Sequence, residues 1–303
     1  MDGIINVYKP CGYTSHDVVA RMKRFFGTRR VGHAGTLDPM ACGVLPILIG
    51  SACTAQEYLM NHDKSYRAGM RFGTLTDTGD ITGAVLEERE FSLPAEKVLE
   101  GAYSMIGEID QVPPMYSAIK IDGRKLYELA REGKTVERKS RRVKIYDIKL
   151  VERINETDYI FDVACSKGTY IRTLCEDIGQ ALGNVGTLFS LERRSCGEFT
   201  VDNSVMVDEL EALHNADDKQ ALERLLMSPE KVFSHLPVVR LPHFYSRLCK
   251  NGCEIYLEKL HKKESDFSPE GMCRLYDGDG AFFALGKLGE YKEGTAVKAV
   301  ARF

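Results

Sequence analysis

An imidazole and a carboxylate share glycine-rich backbone in the run Gly32-His33-Ala34-Gly35-Thr36-Leu37-Asp38-Pro39-Met40-Ala41-Cys42-Gly43-Val44-Leu45. A carboxylate carried on such a stretch could serve as a nucleophile or as a general base. Taken by itself, Leu37-Asp38-Pro39 is a turn signal, because Asp and Pro both favour turns. A lone histidine such as His33 belongs more often to a cap or a core than to a reacting centre.

Other chemistries are excluded by spacing. Gly280 to Lys287 superficially resembles a phosphate loop, but Leu288 follows the lysine where Ser or Thr is required to hold magnesium. No G-x-G-x-x-G run exists, so nothing supports a dinucleotide cofactor. Cys249 and Cys253 are the nearest cysteine pair and stand alone, whereas zinc wants two such pairs; no metal and no cofactor is expected. The nine cysteines are odd in number and irregularly spread, which reads as reduced thiols, mostly buried, rather than a disulfide framework.

The elements around these residues are mixed. Thr14-Ser15-His16-Asp17 starts a helix, with a side-chain cap, an acid in the first turn, and Val18, Met22 and Phe25 at helical spacing up to the stop at Gly27. Residues 28–50, rich in glycine with Pro39 and Pro46, predict loop and short strand, the kind of segment that carries chemistry on a rigid scaffold. Helices are predicted over Ser51–His62, Pro94–Ile106 and, in an acidic stretch, Asp208–Met227. Strands are predicted over Tyr66–Phe72 and Ala84–Glu88, and an antiparallel pair over Arg142–Arg153 and Asp158–Cys165, with Tyr159, Phe161 and Val163 on one face. Ile171, Leu174, Cys175, Ile178 and Leu182 mark the apolar face of a helix over Thr169–Leu182 that Gly183 ends, and Arg172 lies off that stripe. From about Leu236 the chain turns to short β pieces with turns, which predicts a small β-rich domain over 236–303 after a larger one over 1–235.

Hydrophobic residues make up 44% and charged residues 28% of the 303 residues, so the chain is expected to fold throughout. No apolar stretch reaches the roughly 18 residues needed to cross a bilayer, and the start has no basic-then-apolar leader; no membrane partner and a cytoplasmic location are expected. A formal net charge of -3 speaks against indiscriminate coating of nucleic acid. Its distribution says more: Lys120 to Lys149 is strongly basic, including Arg138-Lys139-Ser140-Arg141-Arg142-Val143-Lys144, a pattern read by itself as a solvated face.

The segment Gly32–Leu45 resembles the bacterial tRNA pseudouridine-55 synthase family, often called TruB. The likeness extends to Gly3-Ile4-Ile5-Asn6-Val7-Tyr8-Lys9-Pro10, Lys64-Ser65-Tyr66-Arg67-Ala68, Gly73-Thr74-Leu75-Thr76-Asp77-Thr78-Gly79-Asp80, Gln111 to Lys120 and Ser166 to Leu174. These blocks follow the family's order over about two-thirds of the chain. Met40 and Cys42 replace residues more usual in the family.

The resemblance implies an α+β pseudouridine synthase fold with a mixed, largely antiparallel sheet and flanking helices, and a PUA-like RNA-binding domain at the C-terminus. It implies isomerisation of uridine 55 in the tRNA T-loop, with tRNA as the partner, no obligatory protein partner, and no cofactor, since the reaction moves no net atoms and no electrons. By the match Asp38 is the essential carboxylate, Arg172 the arginine that pairs with it and lowers its pKa, and Tyr66 the active-site tyrosine. His33 matches the residue that supports the rearranged loop, and Tyr170 and Leu191 match residues lining the uridine pocket. Lys9 and Pro10 are expected to buttress the Asp38 loop, and Lys120–Lys149 corresponds to an RNA-gripping insertion. Residue types leave open whether Asp38 attacks C1′, attacks the base, or begins a glycal route. They also leave a tRNA-folding or RNA-binding protein without essential catalysis as the alternative. A glycosidase fits poorly, because one acid paired with an arginine stands where two carboxylates are wanted, and length favours the stand-alone enzyme over the guide-RNA-dependent branch.

Overall fold

The computed structural model describes residues 1–303 apart from Ala118, in the Gln111–Lys120 block, and Asp122, in the basic stretch. A ten-stranded sheet forms the larger part. From one edge it runs Val205–Met206, Gly3–Lys9, Cys42–Ile49, Gly186–Cys196, Lys64–Phe72, Asp158–Cys165, Arg141–Arg153 and Gly107–Gln111, with Val31–His33 added to Cys42–Ile49 and Phe199–Thr200 to Gly186–Cys196. Pairing is antiparallel except where Gly3–Lys9 meets Val205–Met206 and where Cys42–Ile49 meets Gly186–Cys196. The sheet is therefore mixed and largely antiparallel, as expected.

Alternation dictates which faces are buried. Tyr159, Phe161 and Val163 all point into the main core, and Asp158–Cys165 pairs antiparallel with Arg141–Arg153 as predicted. The helix Ser15–Phe25 begins at Thr14, whose hydroxyl accepts from the Asp17 N–H at 3.1 Å while Asp17 accepts from the Thr14 N–H at 2.8 Å. Val18, Met22 and Phe25 are its buried stripe.

Three predicted helices are shorter. Over Ser51–His62 the chain forms a 3-10 turn, Gly50–Ala55, before a helix Gln56–Met60. There Thr54 donates to Ser51 O at 2.8 Å and Cys53 to Leu48 O at 3.3 Å, local side-chain bonds that compete with α-helical pairing. Pro94 caps Ala95–Tyr103 rather than joining it. The acidic stretch splits into Val207–Asn215 and Lys219–Arg224, because Asp217 turns left-handed at φ 53° and Asp218 caps the second piece.

The β-rich tail is a five-stranded sheet ordered Val238–Arg240, Met272–Tyr276, Phe282–Tyr291, Gly294–Arg302, Ile255–Tyr256. It shares an apolar cluster with the larger sheet. Ile4, Val44, Leu48 and Phe199 from one side pack with Met272, Leu285 and Ala301 from the other. Each fully buried leucine in such a cluster contributes about 1.5–3 kcal/mol, so this contact holds the two sheets in one arrangement.

Candidate active site

Asp38 stands on the loop joining Val31–His33 to Cys42–Ile49, and main-chain bonds shape that loop. Ser15 accepts from the Leu37 N–H at 2.9 Å and donates to Leu37 O at 3.2 Å. The Gly12 N–H donates to Pro39 O at 2.8 Å, and the Ala41 N–H donates to Asp38 O at 3.1 Å. Lys9 is fully buried and its ammonium donates to Pro10 O at 3.0 Å, Tyr13 O at 2.5 Å and Pro39 O at 3.4 Å.

Arg172, the second residue of the helix Ile171–Ala181, brings the site together. Its side chain is off the helix's apolar stripe yet only 5% exposed, so it is a buried cation and not a surface arginine. Nε lies 3.0 Å from Asp38 Oδ2. The same guanidinium donates to Thr78 O at 2.9 Å and to Tyr116 O at 2.8 Å, and it stands 3.8 Å from Asp80 Oδ2. Two carboxylates thus share one guanidinium.

Asp80 was given no role by the sequence. It is buried, and its Oδ1 accepts from the Thr82 N–H at 3.0 Å and from the Thr82 and Thr78 hydroxyls at 2.5 and 3.1 Å. The Thr78-Gly79-Asp80-Ile81-Thr82 pattern, an acid between two hydroxyl residues, is the signal that marks such a side-chain-bonded turn.

Burial raises the Asp38 carboxyl above its ordinary value, the Arg172 charge pulls it down, and Asp80 pushes it up; the net direction is upward. Arg172 lowers the Asp38 pKa, as expected, but loss of water around the carboxyl outweighs the ion pair.

Tyr66, on Lys64–Phe72, sits opposite Arg193 on Gly186–Cys196, and Ala68 sits opposite Leu191. Because strand side chains alternate, these four residues occupy one face of the sheet. Tyr66 and Leu191 are each 8% exposed and supply an aromatic and an aliphatic wall. Burial pushes the Tyr66 phenol above its usual range, so it is a protonated donor at neutral pH.

Arg193, also missed from sequence, is 1% exposed. Its Nε donates to Val44 O at 2.7 Å and its terminal nitrogens to Gly35 O at 3.1 Å and Thr36 O at 3.5 Å. It therefore ties the Asp38 loop to the strand that carries Leu191. Gly43 permits the approach: its φ is +104°, and a Cβ there would lie 2.3 Å from the Arg193 carbonyl oxygen.

Tyr170 is the residue just before the Arg172 helix. Gln111 fixes its main chain, accepting from the Tyr170 N–H at 2.8 Å and donating to its carbonyl at 3.1 Å. His33 occupies the start of the Asp38 loop, edge-on to His16 with ring centroids 5.8 Å apart. Burial and the neighbouring His16 and Arg193 charges lower it to about 4, leaving a neutral ring at pH 7. No hydrogen bond or ion pair joins His33 to Asp38 or Arg172 among the described residues. In the same set no group of three or more His, Cys, Asp or Glu side chains is placed to hold a metal.

A carboxylate beside a buried guanidinium, on a loop that Arg193 ties to the strand carrying Leu191, can present one acid group to a substrate. A model of the TruB family pseudouridylate synthase N-terminal domain matches residues 23–171, and one of the tRNA pseudouridylate synthase B C-terminal domain matches residues 172–234. Among curated relatives, a tRNA pseudouridine synthase B of Alkaliphilus oremlandii (strain OhILAs) is 45% identical, covering 95% of this chain and 98% of its own. Another, from Clostridium tetani (strain Massachusetts / E88), is 41% identical over 98% of each chain. A solved structure of a Cbf5-Nop10-Gar1 complex aligns with TM-score 0.73 and 27% identity, covering 98% of this chain and 83% of that one. Arrangement, family models and relatives agree: the chain belongs to the TruB family of pseudouridylate synthases.

Proposed function

We propose that this enzyme isomerises uridine 55 in the tRNA T-loop to pseudouridine, with Asp38 as the acting carboxylate. The observation that carries the reading is the 3.0 Å pair between Asp38 and Arg172, on a loop that Arg193 ties to the strand carrying Leu191. The relatives named tRNA pseudouridine synthase B supply the substrate class.

The reaction breaks the ribose C1′ to uracil N1 bond, turns the base in place, joins C1′ to C5, and moves the C5 proton away while N1 gains one. A uridine inside a folded loop must first be extruded, at a cost of a few kcal/mol. Tyr66 and Leu191 offset that cost by stacking on and enclosing the base, with Tyr170 closing a further side. In every ordering of the steps Asp38 acts as the anion, and Arg172 directs it at the sugar or base. The Tyr66 phenol, protonated, is read as a donor to the turning base. Neutral His33 fills the loop's vacated side without adding a second cation.

The basic stretch Lys120–Lys149 is read as the phosphate grip, and the five-stranded C-terminal sheet as a PUA-like second RNA contact over residues 236–303. With tRNA as substrate and nine free thiols, the working compartment is read as the cytoplasm. Mapping pseudouridine in total tRNA with the protein present, absent, and carrying Asp38→Asn tests reaction and substrate together. Loss confined to the T-loop position is the expected result; an Asn variant that isomerises at full speed overturns the reading.

A further inference from the structure

Five cations lie between Arg138 and Lys144, and the first is placed unlike the rest. Lys139, Arg141, Arg142 and Lys144 are exposed, as a phosphate grip requires, whereas Arg138 is half-buried. It is turned inward. Its Nη1 donates to Pro113 O at 3.0 Å, and its Nε is buried with no hydrogen-bond partner among the described residues.

That bond closes the root of the basic stretch. The strands Gly107–Gln111 and Arg141–Arg153 part at their last register pair, Gln111 opposite Arg141, and beyond it Arg138 joins the two chain segments once more. The segment Pro113–Ser117 then gives three carbonyls to three different elements. Pro113 O takes Arg138, from the returning end of the stretch. Tyr116 O takes Arg172, from the active site, at 2.8 Å, and Ser117 O takes the Tyr127 N–H, from the helix Leu126–Arg131, at 3.1 Å. A pull on the exposed cations therefore reaches the guanidinium that holds Asp38, through carbonyls only three residues apart.

We propose that Arg138 is a positioning residue and not a phosphate ligand: it fixes the returning end of the basic stretch to Pro113, so that RNA held by the exposed cations sets the Arg172–Asp38 pair. The role needs a donor at one carbonyl. A single bond, unlike the fork with which Arg172 makes separate contacts, can be supplied by a lysine ammonium. The orphaned Nε makes Arg138 a poor contributor to stability, so its loss is read in rate and not in folding. A displacement of about 1 Å at a reacting group costs on the order of a hundredfold in rate. The inference rests on reading tRNA as the substrate and Asp38 as the acting carboxylate.

The test compares Arg138→Met, Arg138→Lys and Arg142→Met with the parent in the full-length chain. Three quantities are measured: tRNA affinity across a salt series, single-turnover pseudouridine formation at saturating enzyme, and thermal unfolding. Arg138→Met is expected to keep the parent's affinity, salt slope and melting temperature while forming pseudouridine roughly tenfold or more slowly. Arg138→Lys should recover most of that rate. Arg142→Met should flatten the slope of log K against log salt by about 0.7–0.9, the contribution of one phosphate; an unflattened slope there removes the grip and the proposal with it.

The same flattening in Arg138→Met makes Arg138 a phosphate ligand and overturns the proposal. So does a parent-like rate in Arg138→Met, an Arg138→Lys enzyme as slow as Arg138→Met, or a melting temperature far below the parent's in Arg138→Met. Failure of the underlying reading looks different: the parent itself would form no pseudouridine in tRNA, or Asp38→Asn would work at full speed.

Discussion

Arg172 grips Asp38 and the main chain of Tyr116 with one guanidinium, Nε lying 3.0 Å from the carboxylate while a terminal nitrogen donates to the Tyr116 carbonyl at 2.8 Å. Asp38 and the chain just before the basic stretch are thus held by the same group. Arg172→Lys keeps the charge but loses the planar fork that makes three separate contacts. Turnover is expected to fall on the order of a hundredfold, measured as single-turnover pseudouridine formation, with tRNA affinity changed far less. An equal loss in both would mean that the contact serves binding alone.

The acid limb of the pH–rate profile is expected above the ordinary carboxylate value of 3.8, because burial and Asp80 raise Asp38 more than Arg172 lowers it. Asp80→Asn removes one of the raising charges, so the limb should move to lower pH. A limb that stays in place or climbs would show that Asp80 does not act on Asp38 through its charge.

Stability carries the opposite sign. A carboxyl whose pKa is higher folded than unfolded binds more protons in the folded state between those two values, so stability falls as pH rises through that window. Once ionised, Asp38 is then a net cost to folding, and Asp38→Asn is expected to melt at or above the parent temperature while losing activity. Thermal unfolding at pH 7 decides this; a markedly lower melting temperature would place Asp38 among the residues that hold the fold.

Arg193→Met keeps the bulk of the side chain but leaves the carbonyls of Gly35, Thr36 and Val44 without their donor. Each buried polar group so orphaned costs about 1–3 kcal/mol. Denaturant unfolding should show a loss of a few kcal/mol, and turnover should drop through disorder of the Asp38 loop. Full activity in a destabilised variant would detach Arg193 from loop positioning.

Reversing charge at Arg141 and Arg142 is expected to weaken tRNA binding and flatten its salt dependence, by about 0.7–0.9 in the slope of log K against log salt for each phosphate no longer neutralised. Arg142 is highly exposed and has only distant acidic neighbours, Glu108 at 3.6 Å and Asp110 at 3.7 Å, so little internal pairing opposes the effect. Unchanged affinity at low salt would assign this stretch to solvation.

Local signals made the scaffold legible. The Thr14–Asp17 cap, the Tyr159–Phe161–Val163 alternation and the Ile171–Ile178 stripe are each written within one element, where period and capping determine the outcome. Asp38 and Arg172 could be paired only through the family likeness, since 134 positions of sequence separate the residues that the 3.0 Å contact joins. Arg193 escaped notice for a related reason: its partners are main-chain carbonyls of distant segments, which leave no spacing pattern, whereas Asp80 sits in a local Thr78–Thr82 turn whose pattern does not by itself point to Arg172. The upward shift of Asp38 depends on how much water the fold removes around it, a quantity that residue types do not encode.

The apolar cluster that joins Ile4, Val44 and Leu48 to Met272, Leu285 and Ala301 makes the molecule a caliper with fixed jaws. A caliper of this kind gauges by rigidity: whatever touches both jaws meets them at a set span. The same weld means that neither jaw can be sawn off cleanly, because each would be left with a greasy scar where the other had been.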